Sequence, residues 1–246
     1  MNIIETVGKI ADKLKVRAYI VGGPVRDKLL GIKDYDMDFV VEGDGIKFAG
    51  ALNKALKGKL TTYRAFGTAT IIFNGVGKYK NTFLTTENRI EVIAKRFSCK
   101  KRIDIVTARK ESYKYPAAYP TVRPGTIKDD LSRRDFTINA MAMVINKKGF
   151  GGLVDFYGGE KDLKKGMIRV LHDKSFMDDP TRIFRAVRFS VRFGFKIEPH
   201  TKKLMKEAVL DGFLGEVNAG RIRKEIELFL KEKNPGKCLK EFSKLT

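Results

Sequence analysis

Two stretches near the N-terminus carry residue types suited to phosphate chemistry. Gly22-Gly23-Pro24-Val25-Arg26-Asp27 is a glycine turn, and Tyr35-Asp36-Met37-Asp38-Phe39-Val40-Val41 is a run with paired carboxylates. Glycines let backbone N–H groups approach a ligand closely, and such a turn can cradle phosphate. Asp36 and Asp38 are two apart in a β-prone run, so both carboxylates share one face of a strand. Hard oxygen ligands side by side suit Mg²⁺, which binds through one or two carboxylates plus substrate phosphates. Each motif alone is weak, but a glycine turn, a helix and an acidic strand in that order point to nucleotide transfer.

Further along, Asp104 sits among apolar residues in Arg102-Ile103-Asp104-Ile105-Val106. A charge there is costly unless it faces a cation, which makes Asp104 the third candidate carboxylate of a metal site. The segment Leu131–Ala140 offers Arg133, Arg134, Asp135 and Asn139 on a predicted helix, residue types that grip phosphate oxygens and ribose hydroxyls. In Asp178–Phe193 an Asp cap and a Pro entry lead into a predicted helix. At 100° per residue, Arg182, Arg185, Arg188 and Arg192 form one stripe, and Ile183, Phe184, Val187 and Val191 form the opposing apolar face. Four arginines in a row repel unless acidic groups or bound phosphates neutralise them, so the stripe is read as facing a triphosphate, RNA, or both. Asp178 and Asp179 lie four and three residues before Arg182, from where a carboxylate can hold a guanidinium. Such a pair could read ATP or CTP by hydrogen bonds to the base edge without a template.

The elements that must position these residues are legible in outline. Ile3, Val7, Ile10, Ala11 and Leu14 recur at helical spacing, and Tyr19-Ile20-Val21 reads as a buried strand. A second helix runs from an Asp44 N-cap to Gly58. Strand-like runs follow at Thr68–Phe73, Arg89–Phe97 and Arg102–Ala108, so the first half reads as a mixed sheet with flanking helices. Gly75–Lys101, basic with interspersed phenylalanines, suits an extra hairpin or flap. Three prolines among tyrosines over 109–131 predict a loop crossing the mouth of the site. Asp135–Val144 reads as helix, and helical periodicity dominates from Asp178 onward, divided by Gly194, Gly212 and Gly220, with a last helix over Arg221–Leu245.

Composition narrows the partners. Fifty Lys and Arg against 29 Asp and Glu leave a formal charge of +21, which draws polyanions, nucleic acid first. No run approaches the roughly 18 apolar residues that span a bilayer, and the N-terminus has no signal-peptide core, so no membrane is expected and a cytoplasmic location is. Cys99 and Cys238 are far apart, and His172 and His200 make no cluster, so neither a disulfide framework nor zinc is indicated.

These motifs together resemble the bacterial-type (class II) tRNA nucleotidyltransferase and poly(A) polymerase family of the DNA polymerase β superfamily. The match runs from about Arg17 to Leu230 through Gly22-Gly23-x-Val25-Arg26-Asp27, Asp36-x-Asp38, Arg133-Arg134-Asp135-x-x-x-Asn139-Ala140 and Asp178-Asp179-x-x-Arg182 followed by Arg185-Ala186-x-Arg188-Phe189. The resemblance implies an α/β (α+β) chain: a mixed-sheet, polymerase-β-like nucleotidyltransferase head over residues 1–172, then an all-helical neck over 173–246. It implies that Asp36 and Asp38 bind the catalytic Mg²⁺ ions and that Asp104 helps activate an attacking RNA 3′-hydroxyl. Gly22, Gly23, Arg26 and Asp27 would line the nucleotide site. Arg133, Arg134, Asp135 and Asn139 would hold ribose and triphosphate, Asp178, Asp179 and Arg182 would read the base, and Arg185 and Arg188 would support the phosphates. The reaction implied is in-line attack on the α-phosphate of ATP or CTP with release of pyrophosphate, extending the CCA end of tRNA.

Two departures stand out. The family usually has Glu-Asp where this chain has Asp178-Asp179, and the shorter first acid could re-aim Arg182. Members also usually continue into helical body and tail domains that grip the tRNA; these are missing here, so a truncated chain, a compact variant or a second chain supplying them is expected. The Glu111-Ser112-Tyr113 start of the 109–130 loop, and Asn139-Ala140-Met141-Ala142, resemble the A-adding and CC-adding members more than the poly(A) polymerases. A poly(A) polymerase and a noncatalytic RNA-binding module are the competing functions.

Overall fold

The computed structural model describes residues 3–32, 37–75 and 99–245. They divide by packing into two compact units that interleave in sequence: residues 1–110, 124–130 and 142–154 form the first, and residues 111–123, 131–141 and 155–246 the second.

The first unit is a mixed sheet with helices. Helix α1 (Ile3–Lys13) buries Ile3, Ile4, Val7 and Ala11, as its helical spacing dictates. Gly8 on that helix lies so close to the chain that an added Cβ would sit 2.3 Å from the Ile145 carbonyl oxygen. Strand β1 (Arg17–Val21) leads through the glycine turn into α2 (Gly23–Leu29), then β2 (Met37–Glu42) and α3 (Gly45–Leu56). The Asp44 side chain caps α3 by accepting from the Ile46 and Lys47 amides, and Lys57 closes it in the left-handed region at φ 52°. Strands β3 (Lys59–Tyr63), β4 (Thr68–Gly75) and β5 (Cys99–Thr107) follow. A separate two-stranded hairpin of β6 (Arg109–Ser112) and β7 (Thr121–Pro124), which straddles the unit boundary, and the short helix α4 (Ile127–Ser132) come next in sequence, and strands β8 (Met141–Val144) and β9 (Leu153–Asp155) complete the sheet. Its order is β3-β4-β5-β2-β1-β8-β9. β2 runs parallel to β5, whereas β1 is antiparallel to both β2 and β8.

The second unit holds α5 (Gly159–Lys164), β10 (Met167–Ile168), α6 (Ser175–Asp178), α7 (Arg182–Phe193), β11 (Lys196–Ile197), α8 (Pro199–Leu210), α9 (Ala219–Leu230) and α10 (Pro235–Phe242). Phe184, Phe229 and Phe242 cluster where α7, α9 and α10 meet, Phe184 stacked on Phe242 at 4.6 Å and Phe229 edge-on to both at 5.7 and 6.3 Å. Among the described residues no helix is long and apolar enough to cross a membrane.

Several expectations are corrected. The predicted helix over Asp135–Val144 is a short 3-10 turn (Thr137–Asn139) followed by β8: Met141, Ala142 and Met143 are buried, so the strand lacks the polar alternation that marks a half-exposed one. The 109–131 loop contains the β6–β7 hairpin and α4. The C-terminal helix breaks between Leu230 and Pro235, and Gly220 lies inside the first turn of α9 rather than between helices. β3, β9 and β11 were not expected. The predicted strand Arg89–Phe97 and most of the basic flap lie outside the described residues; their flanks to Gly75 and from Cys99 belong to β4 and β5, where Gly75 and Cys99 are register partners.

Candidate active site

In the first unit the parallel pairing of β2 with β5 sets Asp38 opposite Asp104, with Met37 opposite Ile103 and Phe39 opposite Ile105. Register partners on neighbouring strands point to the same side, so the apolar neighbours enter the core while the two carboxylates lie together on the other side. β4 adds Thr70 as the other partner of Asp104. The Thr70 hydroxyl donates to Asp104 Oδ1 at 2.6 Å, and Arg102 Nε meets Oδ2 at 2.8 Å. Asp104 is therefore satisfied by protein groups on both oxygens, which tempers the expectation that only a cation could offset its burial. Asp36 lies outside the described residues, and among those residues no cluster of three or more His, Cys, Asp or Glu could hold a metal. The donor set present, two carboxylates side by side, still fits a hard divalent cation, because adjacent anions repel and oxygen ligands of this kind prefer such ions.

The glycine turn follows β1, whose Ile20 pairs with Phe39 of β2. Gly22 precedes α2 at φ 70°, a left-handed setting that favours glycine, and Pro24 stands in the first turn. Arg26 is 5% exposed, and its Nε donates to Asp27 Oδ1 at 2.8 Å. Turn, arginine and acid thus form one local motif, with Gly23 beside the Arg26 guanidinium.

In the second unit the arginine row of α7 takes internal partners. Arg182 is 5% exposed; it donates to Ser175 Oγ at 2.8 Å and to the Arg133 carbonyl at 2.7 Å. Arg185 holds Asp135 through two bonds of 2.8 and 2.6 Å to Oδ2. The other Asp135 oxygen accepts from the Phe136 amide and from Asn139 Nδ2. Burial pushes the Asp135 carboxyl upward, but Arg185 and Asn139 outweigh it and hold the group down to about 2. Arg188 is buried between Glu225 and Glu232, each 3.7 Å away, and Arg192 forks onto Glu232 at 3.0 Å. Burial lowers the Arg188 pKa and raises that of Glu225. The guanidiniums of Arg185, Arg188 and Arg192 also gather around the Phe189 ring.

The base-reading motif is arranged differently from its sequence reading. Asp178 ends α6 with His172 3.8 Å away, and its carboxyl is raised by burial. Asp179 does not cap α7; its Oδ1 accepts from the Thr181 amide and hydroxyl and from Arg221 NH2 at 2.7 Å. The guanidinium beside Asp179 thus belongs to Arg221 of α9, not to Arg182. Arg133 pairs with Glu111 at 3.0 Å, and Tyr113, its pKa raised by burial and then by Glu111, donates to the second Glu111 oxygen. Arg134 follows α4 half-buried, on a turn rather than a helix. Thr70, Ser175, Arg221, Glu225 and Glu232 belong to none of the motifs legible in the sequence, and Glu111 was legible there only as a family cue. The helix that carries Arg221 and Glu225 was legible from its periodicity, but their partners Asp179 and Arg188 lie far off in sequence.

Residues 18–169 match the Poly A polymerase head domain, and the chain belongs to that family. It is 40% identical over 244 residues to an A-adding tRNA nucleotidyltransferase of Geobacter sulfurreducens, a match covering 99% of this chain and 25% of that protein. A solved CCA-adding enzyme in apo form II superposes with a TM-score of 0.84 at 45% identity, covering 98% of this chain and 51% of that one. The Thermotoga maritima CCA-adding enzyme complexed with tRNA superposes at 0.80 and 43% identity, covering 98% and 50%. The chain therefore spans a quarter to about half of the length of these relatives, and its sheet is the polymerase-β-like head of the family.

Proposed function

We propose that this chain is the catalytic portion of a template-independent RNA 3′-end nucleotidyltransferase, which transfers AMP or CMP from ATP or CTP to the CCA end of tRNA and releases pyrophosphate. The observation that carries this is the register pairing of Asp38 with Asp104 in a sheet of this family. The identity of the Geobacter relative favours A addition to a primer that ends in CC. The head spans 1–172 and the neck 173–246, and the chain works in the cytoplasm.

Asp36 and Asp38 hold Mg²⁺, which when bound supplies Lewis-acid stabilisation of phosphoryl charge. Asp104 orients the RNA 3′-hydroxyl, itself fixed by Thr70 and Arg102. Gly22, Gly23, Arg26 and Asp27 approach the triphosphate. Arg133, Arg134, Asp135 and Asn139 hold ribose and phosphate, Asp178, Asp179 and Arg182 set base choice, and Arg185 and Arg188 stiffen the α7 side. Asp179 offers acceptor and Arg221 donors to a base edge, while Arg182 supports them from its buried place through Ser175 and Arg133.

The test incubates the protein and Mg²⁺ with tRNAs ending before the first C, after one C and after both, offering ATP and CTP separately and together. A single A added to the CC-ended primer is the expected result. Full CCA repair makes this a complete CCA adder, and unlimited A tails on assorted RNAs make it a poly(A) polymerase. RNA binding without Mg²⁺-dependent incorporation overturns the enzyme assignment.

A further inference from the structure

On the side of α7 away from its arginine row, the second unit contains a hollow of about 430 Å³ that the proposed chemistry does not use. Its rim carries Lys196 of β11, Lys202 of α8, and Lys237 and Lys244 at α10 and just beyond. Its floor is apolar, made chiefly by Val187, Val191, Phe195 and Leu245. Among the described residues its one carboxylate is Glu241, bonded to Lys244 at 2.6 Å. Lys237 and Lys202 also act on Glu241, whose carboxyl is held below its usual value by Lys244 first. One carboxylate is thus shared among converging ammoniums, and Lys196 adds a further positive charge.

We infer that this hollow is a second RNA contact, which seats one nucleotide of the bound strand with its ring and sugar on the apolar floor and its flanking phosphates among the four lysines. Three features converge. Ammoniums crowded around a concavity repel, and a phosphodiester relieves that repulsion. The volume lies within the range of small-ligand sites and exceeds what one bare phosphate requires. Phe195 and the two valines supply apolar lining on which a base or ribose can pack, as in sites that bind single strands without reading sequence. The chain's formal charge of +21 favours a polyanionic strand over an acidic peptide as occupant. The hollow rests on RNA being the substrate, as proposed above.

The experiment measures the Kd for a fluorescently labelled tRNA lacking its terminal A, at several salt concentrations. For Lys202→Ala/Lys237→Ala, Kd should rise about tenfold and the slope of log K against log salt should fall by about 1.5, the share of two lost phosphate contacts. Lys9→Ala/Lys54→Ala, an equal loss of charge in the first unit, should change Kd by less than about twofold. Val191→Trp fills the floor without altering charge and should also weaken binding, provided its unfolding midpoint is retained. Equal loss in both lysine pairs would reduce the effect to general charge and overturn the site, as would an unchanged Kd in the hollow variants. Weaker binding of free ATP with tRNA binding intact would assign the hollow to a mononucleotide and equally overturn the RNA contact. Incorporation assays separate the two proposals: A addition with unaltered Kd sinks the hollow alone, and altered Kd with no incorporation in any protein sinks the transferase alone.

Discussion

The carboxylates of the sheet and the arginines of α7 differ in their neighbours: the carboxylates lie side by side on paired strands, with Thr70 and Arg102 on Asp104, whereas the arginines face oxygens of their own unit. Asp38 and Asp104 are like charges brought side by side by strand register, and a cation would lower their mutual repulsion. Arg182, Arg185, Arg188 and Arg192 are bound to carbonyls and carboxylates of their own unit, two of them almost wholly buried. A row of arginines therefore need not be a row of ligands. In the sheet two carboxylates are set side by side by strand register, while in α7 most of the charges form an internally paired frame.

The largest effect should come from the sheet. On the proposed function, Asp38→Asn should lower kcat more than about a hundredfold and leave tRNA affinity within about twofold, because the proposed metal carboxylate is lost while the basic surface stays. Incorporation and binding assays on the same preparation check it, and an active variant would break the contrast.

In the frame, Asp135→Ala should cost about 3 kcal/mol by stranding Arg185, read from urea unfolding. The pH dependence has a definite sign. The folded Asp135 pKa, about 2, lies below its unfolded value of 3.8. Its contribution is therefore complete above the ordinary carboxylate range and disappears as pH falls through about 2. The stability gap between the native chain and Asp135→Asn should narrow accordingly between pH 5 and pH 2.

Arg221→Ala and Arg182→Ala sharpen the comparison further. The first should reduce the ATP-over-CTP preference in kcat/KM about tenfold at nearly unchanged stability, because it loosens Asp179. The second should lower the unfolding midpoint first, because several buried hydrogen bonds are lost. If only Arg182→Ala alters nucleotide choice, Arg182 is a reader and not a support. The smallest effect is expected for Thr70→Val, which leaves one Asp104 oxygen without its hydroxyl and should cost about 1 kcal/mol of stability and a few-fold in kcat.

How much was legible in the sequence follows the same division. α1, β1, α3 and β5 were readable because their burial patterns are local: a helical stripe, an apolar run, an Asp cap. β8 was misread because a strand covered on both faces shows no alternation, and Ala and Met suit a helix equally well. The arginine stripe was read correctly as a stripe, but its partners come from afar. Asp135 precedes it by 50 positions and Glu232 follows Arg192 by 40, separations at which no periodicity speaks. Asp179 was assigned to Arg182 by proximity in sequence, whereas folding delivers Arg221 from another helix.

The parallel pairing of β2 with β5 also bears on when the protein becomes competent. Parallel neighbours cannot be joined by a tight turn, and here α3, β3 and β4 intervene before β5 can dock. Until that long-range closure occurs, Asp38 and Asp104 belong to separate parts of the chain, however complete the local helices and the β3–β4 hairpin are. A nascent or partly unfolded molecule thus keeps its formal charge of +21 yet lacks its paired acids. On the proposed function, damage that merely delays sheet closure should produce chains that carry the positive charge without the chemistry.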